Sequence, residues 1–260
     1  VEGYTNYPIR VHLETQAICN AKCSFCPYQA MDRKGQIMSD VVIDKLINDL
    51  SGIPKDHMFQ VNPYKVNEPF LDPRLPRVID SLLQRTHCNI FLISNFNHLP
   101  CDSYDQLKVL SRAHPKRLAL SASLNNIDEQ SYKSLMKLSL PKTLQNLDSV
   151  HADILNNSLQ CGLTITTVPS SFKEAQKFYD TVSSRYPLAK VVIYHTNTWI
   201  DSIVGPERDV ILDLLIGELP CSRWSDLSIM SNGKLALCCM DAEGIVDLGS
   251  TTSSNPLNLY

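Results

Sequence analysis

The chain has 260 residues, 43% hydrophobic and 20% charged, a balance that excludes a disordered, collagen-like or membrane-embedded protein. With 24 Lys and Arg against 27 Asp and Glu, the formal net charge is −3, too weak a field to recruit nucleic acid or an acidic membrane by charge alone. No run approaches the length of an apolar membrane span, and Val1 to Thr5 carry no secretory signature, so a cytoplasmic protein with neither nucleic-acid nor membrane partners is expected.

Short β-rich runs alternate with amphipathic helical stretches six times along the chain. A strand over Arg10 to Gln16 precedes a helix over Ser39 to Leu50, which opens on a Ser cap and sets Val42, Leu46, Ile47 and Leu50 on one face. A strand over His57 to Tyr64 leads to a helix over Arg74 to Arg85, and a strand over Cys88 to Asn95 leads to one over Asp102 to Arg112, opening on Asp102. After a strand over Arg117 to Leu124 come two helices, Asp128 to Lys137 and Lys142 to Asn156. Leu159 to Val168, a helix over Ser171 to Arg185, and Lys190 to Asn197 complete the series.

Repeated βα units imply a parallel sheet with helices outside it. Six of them fall short of a closed eight-stranded barrel, so the expected fold is α/β, a partial TIM-like (β/α)6 barrel with its chemistry at the carboxyl ends of the strands. Beyond Asn197 the pattern changes to a helix over Pro206 to Glu218. A hairpin follows, turning at Ser231-Asn232-Gly233 between Leu227-Ser228-Ile229 and Leu235-Ala236-Leu237. Residues 1–205 are therefore expected as the barrel and residues 206–260 as a small C-terminal extension. Its last stretch, Gly249 to Tyr260, is expected to be a tail or the start of something further.

Nine cysteines without a signal segment point to reduced thiols kept for metal or chemistry. Cys19, Cys23 and Cys26 stand at C-x3-C-x2-C spacing directly after the first strand, at the expected barrel mouth. Three thiolates on one tight loop can each take one iron of a cubane and leave the fourth iron open to a small molecule. A zinc knuckle or three core cysteines are the alternatives. Cys88, Cys101 and Cys161 stand alone and are expected to be structural, Cys161 sharing a strand face with Leu163 and Ile165.

At these residues the sequence resembles the radical S-adenosylmethionine (radical SAM) superfamily, with its C-x3-C-x-aromatic-C hallmark and Phe25 in the aromatic slot. The resemblance runs from Arg10 to Asn197. It implies a 4Fe-4S cluster on Cys19, Cys23 and Cys26, with S-adenosylmethionine chelating the open iron. It also implies reduction by a donor such as flavodoxin or ferredoxin, and hydrogen abstraction from substrate by a 5′-deoxyadenosyl radical. Val66-Asn67-Glu68-Pro69 resembles the family's Gly-Gly-Glu-Pro turn with both glycines replaced, which places Asn67 and Glu68 near the methionine amino group. Ser94-Asn95 resembles the Thr-Asn-Gly at the end of strand three, and Ser121 and Ser123 resemble the serines near the ribose and carboxylate. Each of these Ser and Asn residues also suits an ordinary turn or helix cap.

Cys221-x11-Gly233-x4-Cys238, followed by Cys239-Met240-Asp241, resembles the opening of the SPASM or twitch extension of such enzymes. That implies an auxiliary 4Fe-4S cluster on Cys221 and Cys238. No further cysteine follows, so the site is completed beyond Tyr260, or by Cys239 or another thiol, or keeps an open iron; buried structural thiols are the remaining alternative. Cys239 is expected to be a hydrogen donor to a substrate radical, a cluster ligand or a packed thiol. Tyr64 and Lys65 after strand two, and His195, Asn197 and Trp199 after strand six, could line a substrate pocket, and Asp201, Asp241 and Glu243 could meet ammonium groups. The expected activity is epimerisation or two-electron oxidation of a small polar metabolite or natural product, such as an amino sugar. Modification of a ribosomally made peptide is the second reading, and a non-catalytic iron-sulfur or zinc module the third.

Overall fold

The computed structural model describes residues 6–194, 223–246 and 248–260. Among them, eight strands form one sheet in the order β6-β5-β4-β3-β2-β1-β7-β8. These are β1 (Arg10–Leu13), β2 (Gln60–Asn62), β3 (Asn89–Ser94), β4 (Leu118–Ser123), β5 (Gly162–Thr167), β6 (Lys190–Ile193), β7 (Asp226–Ile229) and β8 (Leu235–Ala236). The first six pair in parallel with their chain neighbours, as repeated βα units require. Six helices connect them: α1 (Asp40–Leu50), α2 (Leu75–Arg85), α3 (Cys101–Ala113), α4 (Glu129–Met136), α5 (Leu140–Leu155) and α6 (Phe172–Arg185).

The helix starts follow local chemistry. Ser39, Asp128, Ser139 and Ser171 each accept a backbone N–H of the first turn of α1, α4, α5 and α6. Helix α5 begins two residues before the expected Lys142, because Ser139 caps it and Pro141 fits the first turn. Helix α3 opens on Cys101 behind Pro100 rather than on Asp102, and Cys101, expected to be structural, is exposed. Strand β2 is shorter than expected. A turn from Pro54 to His57 precedes it, and Pro63, with no N–H for the ladder, follows it.

One face of the sheet carries Val11, Leu13, Val61, Ile90, Leu92, Leu118, Leu120, Leu227 and Ile229 into a core shared with α1 and α2. By alternation the inner face carries Arg10, His12, Asn62, Ser121, Ser123, Asp226 and Ser228. The hairpin expected at Ser231-Asn232-Gly233 is present, yet it is not set apart from the barrel. β7 lies parallel to β1, Arg10 opposite Asp226 and His12 opposite Ser228, and β8 returns antiparallel. β7 thereby pairs the open edge of β1 and buries Leu227 and Ile229 beside the barrel core. The stretch expected as a tail is packed: Thr251 is buried against the Gly233 carbonyl, and a 3-10 turn at Pro256–Asn258 sits against α1. The helix expected over Pro206 to Glu218 and the boundary expected at 205 lie outside the described residues.

Candidate functional site

The cysteine loop leaves β1 at the carboxyl end of the sheet and is held by the C-terminal turn of α4. Lys22 N–H donates to the Met136 carbonyl and Ser24 N–H to the Leu135 carbonyl, both at 3.0 Å. Cys26 N–H closes onto the Cys23 carbonyl at 3.2 Å, and Ala21 N–H donates to Cys19 Sγ at 3.4 Å. Cys19, Cys23 and Phe25 pack against the main core, while Cys26 joins a small cluster of Ala17, Met31, Val66 and Ala242. The three thiols are half-buried, and Cys26 lies close enough to raise the pKa of Cys19 and Cys23, as Cys19 does that of Cys23. Burial pushes Cys19 up to about 12 and Cys26 to about 11, and raises Cys23 further.

Three thiolates on one loop suit an iron-sulfur cluster, whose irons would supply the positive charge that buried thiolates need.

Behind the loop lies Glu68, fully enclosed. Its carboxylate accepts Ser94 Oγ at 2.8 Å, Asn95 N–H at 2.8 Å and Phe70 N–H at 3.1 Å, and its own N–H donates to Ile18, next to Cys19, at 2.9 Å. Asn95 Nδ2 reaches Asn20 Oδ1 inside the cysteine loop at 2.8 Å. Glu68, Ser94 and Asn95 thus form one network with the thiol loop. Burial raises the Glu68 carboxyl to about 7. A buried acid with neutral donors only is matched to an ammonium group, which would restore the charged form. Asn67 Nδ2 and Ser121 Oγ are buried and lack a hydrogen-bond partner, as positions facing a polar ligand would. Ser123 Oγ accepts Asn125 Nδ2 at 2.9 Å. These residues fit a cluster with a zwitterionic cofactor at the strand ends.

A second network secures the C-terminal loop. Glu14, at the end of β1, pairs with both Nη atoms of Arg33 and accepts Val66 N–H and Ser231 N–H, each at 3.1 Å. Arg33 Nε donates to the Ala242 carbonyl at 2.6 Å, and Lys65 Nζ donates to the Asp241 carbonyl. Burial lowers Lys65 to about 8. Asp241, expected at the substrate, is buried and caps the loop by accepting Ile245 N–H at 2.9 Å and Val246 N–H at 3.5 Å. Glu243 accepts Asp32 N–H at 2.7 Å. No spacing rule singles out Glu14 and Arg33; they meet because the loop after Cys26 folds back over β1.

Cys239, expected at the mouth, sits lower, on the inner face with His12 and Asp226. The Tyr64 ring stands edge-on to His12, centroids 6.2 Å apart. Cys238 is half-buried beside it, whereas Cys221, His195, Asn197, Trp199 and Asp201 lie outside the described residues. A separate cavity of about 680 Å³ opens on the rim, where Ser24 meets Asn126, Ser131 and Leu135 on the α4 side and Val168 and Glu174 on the α6 side.

No family model matches the chain, and no curated protein does. Solved structures share its architecture. Streptococcus suis SuiB bound to precursor peptide SuiA superposes with a TM-score of 0.72 at 11% identity, covering 98% of this chain and 64% of that one. Native anSMEcpe with bound AdoMet gives 0.64 at 12% identity, over 95% and 79%. BtrN in complex with AdoMet and 2-DOIA gives 0.53 at 14% identity, over 96% and 81%. The fold is therefore the partial α/β barrel that these structures share. The chain spans less than two thirds of the SuiB chain. No helix among the described residues is long and apolar enough to cross a membrane.

Proposed function

We propose that this chain is a radical SAM enzyme acting on a small polar substrate held against the inner face of the barrel. The observation that carries the reading is the three-thiol loop at the strand ends, joined through Asn95 to a buried Glu68 that has no cationic partner among the described residues. The AdoMet bound by BtrN and anSMEcpe on the same fold supports it. A 4Fe-4S cluster with S-adenosylmethionine, when bound, supplies a 5′-deoxyadenosyl radical that removes a hydrogen atom from substrate.

The chain's own residues do the rest. Cys19, Cys23 and Cys26 hold the cluster, Glu68 receives the methionine ammonium, Asn67 offers its unpaired Nδ2 as a donor to the same cofactor, and Ser94 and Asn95 orient Glu68. Ser121 and Ser123 face the cofactor from β4, and Phe25 braces the loop against the core. Cys238 would serve as one ligand of an auxiliary cluster. The inner face, with Arg10, His12, Asn62, Tyr64 and Asp226, offers charge and hydrogen bonds to a small polar molecule such as an amino sugar. The outcome is two-electron oxidation or epimerisation, the latter with Cys239 returning hydrogen. A peptide substrate is the second reading, favoured by the likeness to peptide-bound SuiB.

Anaerobic reconstitution tests the proposal. About four irons per chain support the first cluster alone and about eight support both. S-adenosylmethionine should then be cleaved under reduction, and Cys19→Ala should abolish cleavage. Colourless, iron-free protein would overturn the reading.

A further inference from the structure

Inside the sheet, below the thiol loop, three donor side chains converge that the proposed radical chemistry does not bring together. His12 comes from β1, Asp226 from β7 and Cys239 from the loop after β8. One donor atom of each lies within 4.8 Å of the other two, and all three residues are buried.

We propose that His12 Nε2, a carboxylate oxygen of Asp226 and Cys239 Sγ form a mononuclear metal site of the zinc type, with a fourth position open to an oxygen or nitrogen donor of the substrate. The distances carry this. His12 Nε2 and Asp226 Oδ2 are 3.3 Å apart, long for a charge-assisted hydrogen bond. Two ligands with roughly 2.0–2.1 Å bonds to one tetrahedral ion stand about 3.3–3.4 Å apart. The neighbouring bonds are also slack: Arg223 Nη1 is 3.4 Å from Asp226 Oδ2, and Asn62 Nδ2 is 3.4 Å from His12 Nδ1. Ser228 Oγ, two residues from Asp226 on the same face, is buried with no hydrogen-bond partner. Ser228 Oγ is thus free to turn toward an ion, whereas Asp226 is already reached by Arg10 and Arg223, so a cation at Oδ2 has to displace Arg223.

The surroundings provide the remaining parts. Turning the Asn62 amide together with that of Gln60, whose Nε2 donates to Asn62 Oδ1 at 2.6 Å, lets the Asn62 oxygen accept Nδ1–H of His12, which frees Nε2 for metal in the orientation that ligating histidines adopt. Arg10 Nε, 3.1 Å from Asp226 Oδ1, can stay on the oxygen that does not bind the ion. Arg223, partly exposed, must swing away from Oδ2. Thiolate and carboxylate together neutralise a divalent ion, and burial favours the neutral imidazole that a metal requires. The site rests on the radical reading only for its substrate. A metal-held thiolate carries no S–H to return, so an occupied site selects oxidation over epimerisation.

The test uses zinc alone, and cobalt as its optical stand-in, on two backgrounds: reconstituted protein, and the Cys19→Ala/Cys23→Ala/Cys26→Ala variant, which cannot hold the first cluster. One tightly bound zinc per chain is expected on both, with a thiolate-to-cobalt charge-transfer band. His12→Ala should weaken zinc binding by at least about tenfold and leave the iron content of reconstituted protein unchanged. Cys239→Ser should remove the charge-transfer band, and it carries the test if His12→Ala fails to fold. The site is refuted if wild type binds no zinc, if His12→Ala binds it equally tightly, as cysteines elsewhere would, or if the band survives Cys239→Ser. Zinc binding without iron uptake would sink the radical reading and leave this site standing; iron uptake without zinc would do the reverse.

Discussion

Arg33→Met probes the buried network that ties the Cys238–Cys239 loop to the barrel. Arg33 and Glu14 are 4% and 0% exposed, so removing the guanidinium strands a carboxylate away from water. It also leaves the Ala242 carbonyl without its 2.6 Å donor. Breaking one side of a buried pair costs about 3–5 kcal/mol, a large part of the roughly 5–15 kcal/mol that holds a protein folded. At roughly 2–4 °C per kcal/mol for a chain of this size, the midpoint should fall on the order of 10 °C. Urea titration with linear extrapolation would measure the free energy directly. The double variant Glu14→Leu/Arg33→Met removes both charges but orphans Val66 N–H and Ser231 N–H, at about 1–3 kcal/mol each, so it should recover only part of the loss. A single-variant loss below about 1 kcal/mol would mean that the pair behaves as a surface one and that the loop is held by something else.

Glu68 should give the metal-free protein a pH dependence of definite sign. Its folded pKa of about 7 lies above the unfolded value, so the folded state keeps a proton that the unfolded chain has lost, and stability falls as pH rises from about 4.3 to 7. The span corresponds to roughly 4 kcal/mol. Glu68→Gln should remove that fall, and parallel stability curves for the two proteins would contradict the assignment. Gly244 has φ +67°, and an added Cβ would lie 2.2 Å from Met230 Cε. Gly244→Ala should therefore cost about 1–3 kcal/mol, read by the same titration; no loss would mean that the Asp241-capped loop is free to move.

What the sequence determined by itself is local. The Ser39, Asp128 and Ser171 helix starts and the βα alternation each depend on residues within a few positions of one another, and they reappear where the pattern puts them. Glu68 was legible only through the resemblance of Val66-Asn67-Glu68-Pro69 to the radical SAM Gly-Gly-Glu-Pro turn. Tertiary structure decided the rest. Whether the hairpin hangs free or pairs with β1 depends on an edge more than two hundred residues earlier, and no periodicity records that choice. His12 and Asp226 are 214 positions apart and meet only because β7 lies parallel to β1 with their side chains on the same face. Asp241 shows the converse: a loop acid looks available to substrate until the fold turns its oxygens onto backbone N–H groups. Sequence sets which groups the strands carry; the register between distant strands sets which of them face one another.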